Sequence, residues 1–189
     1  IFSQEGFPLV AIAIVLIIKT ISLFKLMLKI ISATKEDLPI MVQLEERYFG
    51  SKRAEVEEAY ELVLEMGGNV LIEYNGDVPT GMLATVPISD QLKSQVLHLP
   101  ESSPFRKRIE RGYLDGYNGY DFVISFVPSV PYSLDLIHRF LELEKAVGFV
   151  YGTAATSLEF YINRGCRIAG EVENIHSPGE KDIVLVLEK

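Results

Sequence analysis

Apolar positions recur with helical spacing twice in the first half of the chain. Leu38, Met41, Val42, Glu45, Tyr48 and Phe49 keep that spacing with a single polar member. Val56, Ala59, Tyr60, Val63 and Met66 keep it again between Lys52 and Met66. Ahead of the first stretch, Thr34-Lys35-Glu36-Asp37 forms a capping-box pattern with acids in the first turn. Pro39 falls where a missing N–H costs little. Gly50 breaks the first helix and Gly67-Gly68 closes the second. Leu28 to Ser32 reads as a strand before the cap.

The period then shifts. Asn69 to Tyr74 predicts a strand, Asn75-Gly76 a hairpin turn, and Val78 to Val86 the return strand. Pro79 and Gly81 mark an edge, a twist or a bulge in it. Ser89 to Tyr120 has no clean period. Arg106-Lys107-Arg108 and Arg111 precede Gly112, Gly116 and Gly119, which alternate with Tyr113, Tyr117 and Tyr120. One reading is a lid or phosphate-contacting insertion; the plainer one is a solvated helix and a glycine-rich loop. Asp121 to Val127 is apolar and rich in β-formers, as a buried central strand is. After Pro128 and Pro131, Leu134 to Val147 reads as a helix capped by Ser133 and ended by Gly148. Phe149 to Gly152 starts a further strand, a short helix carries Phe160-Tyr161, and strands follow at Cys166 to Val172 and Asp182 to Leu187.

The 189 residues are 48% hydrophobic and 23% charged, which suits one globular domain with a sizeable core. The net charge of −8 argues against a nucleic-acid partner and suits a cationic acceptor such as an amine. The single cysteine, Cys166, allows no disulfide within the chain and suits a reducing compartment. No Cys/His spacing resembles a metal site, so no metal is expected.

Residues 1–26 stand apart. Phe7 to Ile18 is an uninterrupted apolar run, and Lys19, Lys25 and Lys29 punctuate its continuation. The uncharged run is shorter than the roughly 20 residues that span a bilayer. Lysines can snorkel, which makes a span from Phe7 to Leu28 one reading. Such a span would tether a cytoplasmic domain to a membrane. A helix packed on a partner and a non-native upstream extension are the others. The expected boundary places a hydrophobic N-terminal helix at 1–26 and the domain at 27–189.

The stretch from Gly152 to Cys166, with its strand, Phe160-Tyr161 helix and closing Gly165, resembles the closing motif of the GNAT acyl-CoA N-acyltransferases. The element order from Leu28 to Lys189 is similar as well. The resemblance implies an α/β fold with a mixed, mostly antiparallel central sheet and helices on both faces. It implies acyl-CoA, most simply acetyl-CoA, as co-substrate in a cleft between the fourth and fifth strands. The pantetheine would follow the backbone of Ile124, Ser125, Phe126 and Val127. Strands that part leave N–H and C=O groups that an extended amide-bearing ligand can pair.

The family's pyrophosphate loop follows that strand as a Gly-rich turn opening a helix. Here the stretch is Pro128-Ser129-Val130-Pro131-Tyr132-Ser133-Leu134-Asp135, without Gly or Arg. Ser133 remains as a donor, and the loop is degenerate. The resemblance implies transfer of an acyl group to an amine by direct attack, with Tyr161 as general acid to the departing thiolate. Asp121 and Glu73 are the candidate bases on strands that border the acceptor site; alternatively each is a solvated strand-end carboxylate. Cys166 reads as a small apolar core residue. The altered loop also fits a non-catalytic binding or regulatory module, tethered or not, that keeps the fold.

Overall fold

The computed structural model describes residues 28–50, 53–101, 104–127, 136, 147–154, 158–163, 165–173, 179 and 181–188. The apolar segment at 1–26 and the loop from Pro128 to Asp135, Ser133 included, lie outside them. Among the described residues no helix is long and apolar enough to cross a membrane.

The strands are β1 (Leu28–Ser32), β2 (Asn69–Asn75), β3 (Val78–Pro87), β4 (Asp121–Val127), β5 (Gly148–Ala154), β6 (Arg167–Glu173) and β7 (Lys181–Glu188). The helices are α1 (Leu38–Phe49), α2 (Arg53–Glu65), α3 (Asp90–Val96), α4 (Pro104–Glu110) and α5 (Leu158–Ile162). The strands form one seven-stranded sheet in the order β1-β2-β3-β4-β5-β7-β6. Every neighbouring pair is antiparallel except β4 with β5. This is the mixed, mostly antiparallel sheet that the family resemblance implied.

The caps follow local chemistry. Asp37 Oδ2 accepts the Thr34 N–H at 2.8 Å, and Thr34 Oγ1 accepts the Glu36 N–H at 3.3 Å. They secure a short 3₁₀ turn, Lys35–Asp37, that leads into α1. Gly50 ends α1 at φ 64°, the left-handed conformation that glycine adopts without a Cβ penalty.

Helices cover both faces. On one face, Met41, Val42 and Leu44 of α1 and Val56, Tyr60 and Val63 of α2 pack on Ile72, Met82 and Val127. The same face carries the segment between β3 and β4. There Leu92, Val96, Tyr113 and Leu114 bury against Phe122, Val150 and Val184. This segment is therefore core, not the solvated helix of the plainer sequence reading. Two of its basic side chains, Arg106 and Arg111, are engaged within the protein. Arg106 Nη1 donates to the Leu99 carbonyl at 2.9 Å, its Nε donates to Glu110 at 2.6 Å, and Arg111 donates to the Glu173 carbonyl. Gly152 of β5 admits this packing, since a Cβ there would strike the Tyr113 hydroxyl. On the opposite face, Tyr161 of α5 and the helical residue Leu136 pack on Leu83, Val123, Phe126 and Leu185.

Candidate functional site

The parallel pair is short. Asp121 faces Phe149 and Phe122 faces Val150, and there the register between β4 and β5 ends. Each strand then keeps its other neighbour. β4 stays with β3 as far as Val127 opposite Met82, and β5 stays with β7 as far as Ala154 opposite Asp182. The two strands thus part toward their C-terminal ends. Beyond Phe122, the β5-facing edge of β4 has no strand partner among the described residues.

β4 also carries a bulge. Ser125 pairs with Ala84 and Val123 with Thr85, so Ile124 is the extra residue. The bulge resets which way the side chains point. Val123 and Phe126 share the face of α5, while Ile124 and Val127 pack toward α1 and α2. Ser125 lies with the second group, beside Tyr60.

On the α5 face lies an apolar pocket of about 40 Å³. Val123 and Phe126 of β4, Tyr151 of β5, Tyr161 of α5 and Cys166 are part of its lining. The Tyr161 ring sits 4.8 Å from that of Tyr151 and 6.4 Å, edge-on, from that of Phe126. Tyr161 is buried, and burial pushes the half-buried Cys166 thiol above its ordinary pKa. Cys166 is thus held as a neutral thiol, an apolar lining group.

The other expected residues fall elsewhere. Glu73 sits on β2 opposite Gly81, with no exposed surface, and its Oε1 accepts the Thr80 hydroxyl at 3.3 Å. Asp121 sits at the closed end of the parting strands, only 5% exposed, opposite Pro87 and Phe149. Neither is a solvated strand-end carboxylate, and neither lines the pocket. Ile124 to Val127 border the parting, and Phe126 alone of them reaches the pocket.

Sequence reasoning passed over one polar group. The Tyr60 hydroxyl donates a 2.8 Å hydrogen bond to Glu45 Oε1. Burial first, and then the Glu45 charge, holds Tyr60 well above its ordinary pKa. The signal was present, because Glu45 is the polar interruption in the α1 stripe.

No protein-family model matches the chain, and no curated protein does. Solved structures do. An acetyltransferase of the GNAT family from Bacillus cereus superposes with a TM-score of 0.60 at 15% identity, covering 86% of this chain and 98% of that one. This is the GNAT fold. YncA of Salmonella typhimurium, solved with its cofactor acetyl-CoA, has the GNAT fold at a TM-score of 0.58 and 14% identity, over 86% of this chain and 94% of its own. Spermidine N-acetyltransferase of Vibrio cholerae, a dodecamer, gives 0.56 at 12% identity over 86% and 94%. At such identities the likeness is one of GNAT fold. The α3–α4 segment lies between the paired strands β3 and β4, on the sheet face shared with α1 and α2.

Proposed function

We infer that the protein is an N-acyltransferase moving an acyl group, most simply acetyl, from acyl-CoA to an amine. The observation that carries this reading is the parting of β4 from β5 after Phe122 and Val150, beside a pocket that Tyr161 lines. An unpartnered strand edge fits an extended ligand bearing amide groups, as pantetheine does. An apolar pocket fits its thioester end. Family neighbours with the same fold, one of them solved with acetyl-CoA, support the reading.

When bound, acyl-CoA would supply the activated acyl group. The chain's residues would do the rest. Backbone from Ile124 to Val127 would hold the pantetheine, and a β4 N–H would hold the developing oxyanion. Tyr161 would give its hydroxyl proton to the departing thiolate. Ser133 would donate to the pyrophosphate at a helix start. Glu73 and Asp121 would serve as bases only through an intervening group, since both are off the pocket lining. The net charge of −8 would favour encounter with a cationic amine.

Thermal unfolding with acetyl-CoA, longer acyl-CoAs and free CoA tests this reading. A ligand that prefers the folded state raises the midpoint, by mass action. A rise with an acyl-CoA supports it. No rise with any of them favours a non-catalytic module, which the Gly-free loop from Pro128 to Asp135 would suit.

A further inference from the structure

We propose that the apolar pocket is the acyl-chain site and that it selects a short straight chain, of butyryl size, over acetyl. The inference rests on the acyl-transfer reading and names the acyl class that this same site would take. It starts from where the pocket lies. Val123 and Phe126 of β4 and Tyr151 of β5 stand on opposite sides of the parting, past the last pair in register, and all three line the pocket. The pocket therefore lies against the parting itself, with Tyr161 in its wall. Its other end is Phe149 and Leu187, paired across β5 and β7 at the closed end of the cleft. A thioester held at the parting would direct its acyl chain along this line, toward Leu187.

Size and chemistry then choose the occupant. The volume is about 40 Å³. A single water-sized group needs about 10–15 Å³. Acetyl brings one methyl group and would leave most of the pocket unfilled. Butyryl brings two methylenes and a methyl, and would fill it. A void lined by carbon does not hold water well, and its walls lack contacts that a hydrocarbon restores. An aromatic acyl group is too large, since an apolar cavity that admits benzene measures about 150 Å³. Among the described residues the lining carries no charged side chain. An acyl group ending in a carboxylate, such as succinyl, would therefore be buried there without a partner.

The reaction is the same for either chain. The neutral amine's nitrogen forms the C–N bond and the C–S bond breaks. The thiolate takes the Tyr161 proton. The nitrogen sheds one proton to water, and water returns one to Tyr161. The products are the amide and the CoA thiol. Chain length is set by two lining residues. Cys166 ends at its sulfur, and a leucine there would add two methyl groups to the wall. Leu187→Ala would instead remove carbon from the far end. Both residues are half-buried, so either change spares the deepest core, where Leu185 is fully buried.

The test uses the full chain, butylamine as acceptor, and acetyl-, butyryl-, hexanoyl-, octanoyl- and succinyl-CoA, with release of the CoA thiol as the readout. Expected in the parent is a kcat/KM for butyryl-CoA about 10-fold above that for acetyl-CoA, at about 4-fold per buried methylene group. Octanoyl-CoA should fall below butyryl-CoA, and succinyl-CoA below acetyl-CoA. Cys166→Leu should lower the butyryl-to-acetyl ratio about 10-fold by the same count, and Leu187→Ala should move the optimum to hexanoyl-CoA. A loss of packing alone would not move the preference in opposite directions. If one variant fails to unfold cooperatively, the other and the parent series carry the test. Acetyl-CoA preferred by the parent would overturn the proposal and leave acyl transfer standing, as would a ratio that neither variant moves. Thermal unfolding separates the two readings. A midpoint raised more by butyryl-CoA than by acetyl-CoA or free CoA, in a parent that releases no thiol, would sink the transferase and keep the acyl pocket. Unmoved midpoints and no thiol release would sink both.

Discussion

Phe122 and Val150 form the last pair in register between β4 and β5. Everything that distinguishes the candidate site follows from that limit. Up to it the sheet is continuous; past it β4 has no strand partner on that edge among the described residues, with the Tyr161 pocket on one face and the Tyr60–Glu45 pair on the other.

Leu92→Ala should destabilise the fold by about 2–5 kcal/mol in urea unfolding, because Leu92 is fully buried on α3. The comparison is with a solvated position such as Gln91, where Ala should change stability by less than about 0.5 kcal/mol. Equal, small effects would return the α3–α4 segment to the surface.

Cys166 should alkylate more slowly than a free thiol at pH 8 or so, because burial raises its pKa and thins the thiolate. Acetyl-CoA should slow it further, since Cys166 lines the pocket. Iodoacetamide labelling followed by mass spectrometry reads both. Labelling that acetyl-CoA leaves unchanged, at concentrations that stabilise the protein, would move the ligand off this pocket.

Glu188 should titrate below the ordinary glutamate range. The hydrogen bond from Arg167 at 2.8 Å is the first cause and the Arg167 charge the second. A depressed folded value means that the pair's contribution is present above the ordinary glutamate pKa. It is lost as pH falls through the folded value. Both side chains are well exposed, so the effect on stability is small. Carboxyl NMR should show the Glu188 midpoint rise in Arg167→Ala; an unmoved midpoint would assign the shift to another group.

Much of this fold was legible. The capping box at Thr34, the stripes of α1 and α2 and the Asn75-Gly76 turn are local signals, and each sits where its pattern put it. The α3–α4 segment was not legible, because its helices are seven residues long and show too few turns for a period. Strict alternation would set Ser125 on one face with Val123. The bulge at Ile124 exchanges that parity, and alternation cannot register an inserted residue. The pocket escaped for a different reason. Its lining comes from β3, β4, β5, α5 and β7, and only the strand order brings Leu83 near Leu187. Tyr161 was found through its motif, not through its surroundings.

Amine-dependent release of the CoA thiol from acetyl-CoA, followed for the parent and for Tyr161→Phe, tests the central claim most directly. The account predicts release by the parent with an alkylamine present. In Tyr161→Phe it predicts a loss of about 100- to 10,000-fold in turnover, with acetyl-CoA affinity and the unfolding midpoint unchanged. A parent that binds acetyl-CoA yet releases no thiol with any amine would contradict it, and so would a Tyr161→Phe variant that turns over as the parent does at every pH.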